Sequence, residues 1–180
     1  MDTNRERTWQ VLREHVKEKV LLNHCQAVEA AMGAYGEKFG ENVEYWRAVG
    51  LLHDVDFEKY PDDHPGKAGD ILRPYGYSDQ FIQDIESHAR EEEMERTLLQ
   101  KTLFAVDELT GFVIACALVR PDKNIANVEV KSVQKKMKDK AFARAVNRES
   151  IVKGAAMLEM DLAEHIQFVI QALAKNYKAV

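Results

Sequence analysis

The segment from residue 97 to residue 119 constrains the fold of this chain more than any other. Its central part, LFAVDELTGFVIACALV, is hydrophobic nearly all round when it is placed on a helix. A helix of that kind is covered by other elements on every side. Pro121 stops it shortly afterwards, because proline cannot continue a helix. We therefore expect a central helix, about Thr97 to Val119, that the rest of the chain encloses.

Helical periodicity recurs along most of the remaining sequence, whereas strand-like alternation is scarce. Residues 127–130 are the only weak candidate for a strand. Further helices are predicted over residues 5–16, 19–39, 43–53, 65–73, 78–88, 147–160 and 161–177, the one at 65–73 opened by Pro65 and the last two capped by Asn147 and Asp161. Residues 131–144 are predicted to be partly helical. The predicted fold class is all-α, a compact bundle of about seven or more helices. A length of 180 residues fits one domain.

The composition is that of an ordinary globular protein, with 46% hydrophobic and 31% charged residues. A net charge of −5 argues against stable binding of nucleic-acid polymers through the whole surface. Two cysteines, Cys25 and Cys116, fit a reducing compartment, and the N-terminal residues lack the apolar core of a signal peptide. Because no apolar run is long enough to span a bilayer, we expect a cytoplasmic protein without membrane contact.

Metal-ligand side chains stand where the helical pattern predicts core. His24 lies on the apolar stripe of the second predicted helix, His53 and Asp54 directly follow the apolar run VGLL, and Asp107 lies in the central helix. A buried carboxylate without a partner is very costly. Each residue alone could be structural, since a single buried histidine is usually a hydrogen-bonded core residue. Together, imidazole and carboxylate predict a divalent metal such as Mn, Fe, Co, Ni or Zn, with Mg also suitable.

The order His24, His53-Asp54, Asp107 resembles the H…HD…D signature of the HD superfamily of metal-dependent phosphohydrolases. The segments LLHDVDFEKYPDDHP, FAVDELTGFVIACALVRP and VEVKSVQKKMKDKAFARAVNRE look like a bacterial and archaeal subgroup of predicted HD-superfamily hydrolases. The resemblance implies one HD-type hydrolase domain over residues 1–180, with a core at about 12–120 and a C-terminal helical part at about 131–177.

The resemblance also implies that one or two ions bind. His64 and His88 occupy the places of the histidines that hold a second ion in two-metal HD proteins, where the aspartate of the HD pair bridges the ions. The alternative is that His64 only caps a helix and that His88 only ends one.

The turn after the HD pair departs from the better-known HD subfamilies. Phe57 stands where HD-GYP phosphodiesterases carry Lys and where some HD nucleotidases carry Glu. Asp56, Glu58 or Lys59 could act in its place, so we take Asp54, Asp56 and Lys59 as catalytic candidates. The alternative for the turn residues is a solvated surface.

The segment Lys131 to Arg148 holds seven basic residues and one acid, in a chain that is acidic overall. Such a local reversal of charge could receive a phosphorylated small molecule, and Lys131, Lys135, Arg144 and Arg148 are the candidates for substrate binding. The alternative is a solvated helix face. We expect the acidic run at residues 91–95 to be solvent-exposed near the rim of the site.

The leading functional hypothesis is hydrolysis of a phosphate ester of a nucleotide or another small phosphorylated molecule by metal-activated water. A second hypothesis is a di-iron oxygenase, because some HD-type proteins use the same ligand pattern for that chemistry. A third is a non-catalytic ligand sensor built on the HD fold. The sequence leaves the substrate, the metal and a possible homodimer open.

Overall fold

The computed structural model describes residues 3–89 and 95–179, and within them the chain forms nine α-helices and no strand. The helices are α1 (Arg5–His15), α2 (Lys19–Phe39), α3 (Val43–Leu52), α4 (Ala68–Leu72), α5 (Asp79–Glu86), α6 (Leu98–Leu118), α7 (Val130–Met137), α8 (Arg148–Met157) and α9 (Leu162–Asn176). Short 3₁₀ turns cover Arg73–Tyr75 and Ile125–Asn127. The predicted all-α fold is confirmed. Residues 91–94 of the predicted acidic rim lie outside the described residues.

Side-chain caps explain why most of these helices begin where they do. Ser78, Asn147 and Asp161 each accept hydrogen bonds from backbone N–H groups in the first turn of the helix that follows. Thr97 and Gln100 form a reciprocal capping box at the start of α6. These contacts satisfy N–H groups that have no partner within the helix. The predicted start of the central helix is therefore confirmed.

Two local predictions are wrong. Pro65 does not open a helix: the His64–Pro65 bond is cis and lies within turns that cover most of residues 53–67, and α4 begins only at Ala68. Residues 127–130 form the end of a 3₁₀ turn and the start of α7 rather than a strand. Residues 131–144 are partly helical, as predicted: α7 ends at Met137, and turns follow it.

Two glycines let helices approach each other closely around the site. A Cβ on Gly50 would lie 2.9 Å from the backbone oxygen of Val28, so the contact between α3 and α2 requires glycine. A Cβ on Gly154 would lie 2.5 Å from the Cα of Ala105, so α8 packs directly on the backbone of α6. The first contact brings the end of α3 beside α2, and the second brings the C-terminal half of α8 beside α6 at Ala105.

All nine helices contribute to one hydrophobic core, in which Tyr35, Phe81 and Phe112 are among the largest fully buried side chains. His165 on α9 is also fully buried. Its Nε2 lies 3.0 Å from the carbonyl oxygen of Ala105, and its Nδ1 lies 2.6 Å from the hydroxyl oxygen of Tyr35. It thereby links α9 to both α6 and α2. Over the described ranges, no helix is at once long and apolar enough to cross a lipid bilayer.

Candidate metal centre

Six side chains from distant parts of the sequence meet in one cluster. His24 comes from α2, and His53 and Asp54 come from the turn that ends α3. His64 lies in the following series of turns, His88 follows α5, and Asp107 lies in the middle of α6. All six were predicted from the sequence as metal ligands.

The first group of donor atoms surrounds one oxygen of Asp107. This Oδ1 lies 3.0 Å from Nε2 of His24 and 3.4 Å from Nε2 of His53. The two Nε2 atoms are 3.1 Å apart. Oδ2 of Asp54 completes the group at 3.5 Å from His24 and 3.3 Å from His53. We call these four side chains the first ligand group.

The second group forms on the other oxygen of Asp54. Its Oδ1 lies 3.3 Å from Nε2 of His64 and 3.4 Å from Nε2 of His88. The Nε2 atoms of these two histidines are 3.1 Å apart. We call these three side chains the second ligand group. Asp54 therefore belongs to both groups and presents a different oxygen to each.

Hydrogen bonds on the far side of three imidazoles fix their orientation. Nδ1 of His53 lies 2.9 Å from the carbonyl oxygen of Gly50, and Nδ1 of His88 lies 2.6 Å from that of Ile85. A carbonyl oxygen only accepts, so Nδ1 carries the hydrogen and donates it. Nδ1 of His64 similarly donates to Oδ1 of Asp56 at 2.7 Å. Nε2 is then the ring nitrogen that each of these histidines turns towards the cluster, as in metal-bound histidines.

This orientation fits a bound cation. In the second ligand group, two Nε2 lone pairs face each other at 3.1 Å, which is repulsive unless a proton or a metal ion lies between them. Two atoms that each lie about 2.1 Å from one ion are about 3.0 to 3.4 Å apart at octahedral to tetrahedral angles. The distances within both groups are close to that range. Mixed nitrogen and oxygen donors suit a divalent transition metal.

Electrostatics keeps the two carboxylates ionised. Burial alone would raise the pKa of Asp54, but His53, His88 and His24 hold that pKa well below its usual range. Asp107 behaves in the same way, because hydrogen bonds from His24 and His53 outweigh its burial and lower its pKa. The neighbouring thiol of Cys25 has its pKa raised by burial and by both carboxylates. Cys25 is therefore a protonated core residue and not a nucleophile.

A cavity of about 340 Å³ opens onto the cluster. Besides metal-ligand side chains, its described lining consists of Phe57, Ala89, Phe104, Glu108, Asn147 and Ser150. The sequence reasoning missed Glu108, although a second acid directly after Asp107 in an apolar helix was a usable signal. Burial and the charge of Asp107 raise the pKa of Glu108, and the backbone N–H of Asn147 donates a hydrogen bond to its carboxylate.

The turn residues do not take the catalytic places that the sequence suggested. Asp56 is fully buried behind His64, and its second oxygen accepts a hydrogen bond from the backbone N–H of Lys67. Lys59 is exposed beside the ring of Tyr60 and does not line the cavity. Glu58 accepts hydrogen bonds from the backbone N–H groups of residues 17 and 18, before α2. Asp56 is thus a positioning residue, and the other two lie outside the cavity.

The basic side chains predicted to bind substrate also do not line the cavity. Lys131 lines a separate groove between α7 and α9, and Lys135 and Arg144 are exposed and do not line the cavity. The guanidinium of Arg148 donates to the carbonyl oxygens of Ala143, Val146 and Phe142, so it stabilises the turn before α8. The predicted substrate-binding role has no geometric support, because net basic charge along the sequence does not specify where the side chains point.

Comparison with known proteins agrees with this geometry. The family model described as HD domain matches residues 21–111, just over half of the chain. No curated protein and no solved structure gives a significant match. The matched range contains both ligand groups in full. The chain belongs to the HD domain family.

Proposed function

We propose that this protein is a metal-dependent phosphohydrolase that acts on a phosphate ester of a nucleotide or another small phosphorylated molecule. One observation carries the proposal: the two oxygens of Asp54 serve two separate ligand groups. Such a bridging carboxylate is what a two-ion site requires, and two adjacent ions can hold both the attacking and the leaving oxygen of a phosphate ester.

Within this proposal, His24, His53, Asp54 and Asp107 hold one divalent ion, and Asp54, His64 and His88 hold a second. The bound ions supply an activated water molecule and positive charge. That charge is needed from the ions, because no Lys or Arg occurs in the described lining of the cavity. Asp56 keeps His64 in the tautomer and orientation that a ligand needs.

Metal stoichiometry combined with phosphate release tests the proposal. Purified protein loaded with Mn, Fe, Co, Ni, Zn or Mg is analysed for bound metal and assayed with a panel of phosphate esters. We expect about two equivalents of a transition metal and hydrolysis of at least one ester. The double variant His64→Ala, His88→Ala should retain about one equivalent and lose most of the activity.

His15→Ala provides the matched control. His15 is outside the cluster and lies 3.0 Å from the hydroxyl oxygen of Tyr75, so its removal should change neither metal content nor activity. If the protein binds iron, consumes oxygen and hydrolyses no ester, the hydrolase proposal would be wrong and an oxygenase would be favoured. Tight binding of a phosphorylated ligand without turnover would favour a sensor.

A further inference from the structure

The cavity wall beyond the metal ligands carries an exposed aromatic ring. Phe57 is 45% exposed, and it is the only exposed aromatic side chain among the residues that the structure describes. Burial of apolar surface is favourable, so a ring left in water at a cavity mouth is available for a ligand. Its position in the turn after Asp54 places it next to the second ligand group.

The placement of Phe57 is fixed by a contact with a ligand side chain. Its ring meets the ring of His64 at an interplanar angle of 82°, with the centroids 5.2 Å apart. This edge-to-face arrangement is a favourable geometry for aromatic pairs. Because His64 is itself held by Asp56, the Phe57 ring has a defined position relative to the cluster.

Phe104, the other aromatic residue of the wall, is less available. It is partly buried on α6, one turn before Asp107. The guanidinium of Arg96 and the ammonium of Lys153 lie 5.2 and 5.9 Å from the centroid of its ring. These cations already occupy space beside that ring. Phe57 is therefore the aromatic surface with room for a substrate group.

The charge of the same wall restricts what can lie there. Glu108 is the only ionisable residue of the described lining outside the ligand groups, and the lining has no Lys or Arg. An additional anionic group on the organic part of a substrate would face the Glu108 carboxylate, and Arg148, whose charge acts on that carboxylate, is already bonded to the carbonyl oxygens of the turn before α8. An uncharged group avoids this repulsion and can pack against the apolar ring.

We propose that the substrate is a phosphate monoester whose organic part is a flat, uncharged aromatic or heteroaromatic group that packs on Phe57. The inference rests on the proposed function for the placement of the phosphoryl group at the metal ligands. It adds the substrate class and assigns Phe57 as the residue that determines it.

Binding of two non-hydrolysable phosphonates to the Mn-loaded protein tests this assignment. Benzylphosphonate and cyclohexylmethylphosphonate carry the same charge and differ mainly in the flatness of the ring. By calorimetry, we expect benzylphosphonate to bind about three- to tenfold more tightly, the range that an aromatic pair contributes. This ratio should fall to about one in Phe57→Leu and persist in Phe57→Tyr, which keeps the ring. Leu118→Ala, an exposed apolar residue outside the cavity, should keep the wild-type ratio.

Hydrolysis of benzyl phosphate and cyclohexylmethyl phosphate separates this inference from the proposed function. Both esters break the same kind of primary alkyl phosphate bond. Hydrolysis of both with equal kcat/KM would leave the phosphohydrolase in place and overturn the role of Phe57. Selective phosphonate binding that depends on Phe57, without hydrolysis of either ester, would support the aromatic site and contradict the hydrolase. Failure to bind either phosphonate, or a ratio unchanged in Phe57→Leu, would also overturn the inference.

Discussion

Asp56 orients His64 of the second ligand group, although it does not line the cavity. Its carboxylate accepts a hydrogen bond from Nδ1 of His64 and another from the backbone N–H of Lys67. Asp56→Asn should weaken metal binding at the second ligand group by about 10- to 100-fold, because the amide no longer fixes the tautomer or raises the basicity of the ring. Calorimetric titration of Mn into the metal-free protein would resolve this change as loss of the second binding event.

Asp62→Asn is a matched control in the same series of turns. Asp62 is exposed and does not line the cavity, so its variant should bind both equivalents as the wild type does. Equal Mn affinities for the two variants would show that the contact between Asp56 and His64 does not support metal binding.

His165 makes stability depend on pH. It is fully buried, and burial lowers its pKa below the ordinary value of 6.5. In the unfolded chain this histidine binds a proton as pH falls through 6.5, whereas in the folded protein it resists protonation. Below pH 6.5 the unfolded state therefore binds more protons than the folded state. As pH is lowered from 6.5 to the lowered pKa of the folded state, the free energy of unfolding decreases by at most about 1.4 kcal/mol per pH unit.

His165→Gln isolates this contribution, since glutamine does not titrate. Urea unfolding in chelator at pH 7, 6 and 5 should give a shallower decline of the unfolding free energy for the variant than for the wild type. The histidines of the metal centre contribute equally to both proteins and cancel in the comparison. Parallel declines would mean that His165 is protonated as readily in the folded state as in the unfolded chain.

Among the elements, the contact between α8 and α6 depends on the absence of a side chain at residue 154. A Cβ there would lie 2.5 Å from the Cα of Ala105, a backbone atom that cannot rotate away. We expect Gly154→Ala to lower the unfolding free energy by about 1–3 kcal/mol through overpacking, despite the better helix propensity of alanine. Because Asn147 and Ser150 lie on the same helix, the variant should also weaken ligand binding in the cavity.

Gly111 in α6 provides the opposite case. A Cβ at this position meets no atom within 4 Å. Gly111→Ala should therefore stabilise the protein by up to about 1 kcal/mol, the helix-propensity difference between the two residues. Urea denaturation measures the unfolding free energy of Gly154→Ala and Gly111→Ala. Equal destabilisation of the two variants would contradict the argument that residue 154 is closely packed and residue 111 is not.

The helices and the turns differ in how well the sequence predicts them. Helix caps such as Asn147 and Asp161, together with apolar periodicity, predict most helix starts, because both signals act over a few neighbouring residues. The six candidate ligands are predictable because polar groups occupy core positions and because the motif resembles a known family. The contacts of Asp56 and Arg148 could not be predicted, since turns have no fixed periodicity and the direction of their side chains depends on distant contacts.

At the scale of the whole molecule, the two ligand groups connect helices that are far apart in the sequence. Ligands from His24 to Asp107 join α2, the ends of α3 and α5, and α6. An ion that binds only the folded protein stabilises it by about 2.7 kcal/mol at a free concentration of 100 times its Kd. For a chain of this size, we expect Mn, Ni or Zn to raise the Tm of chelator-treated protein by about 5–10 °C. Ca²⁺ at the same concentration should raise it far less, because four of the six ligands are imidazoles and calcium prefers oxygen. Differential scanning calorimetry measures both shifts.

In Asp54→Asn the increase in Tm with transition metals should largely disappear, since both ligand groups share that carboxylate. A Tm that is unaffected by any of these ions, or raised equally by Ca²⁺, would contradict metal binding by this cluster.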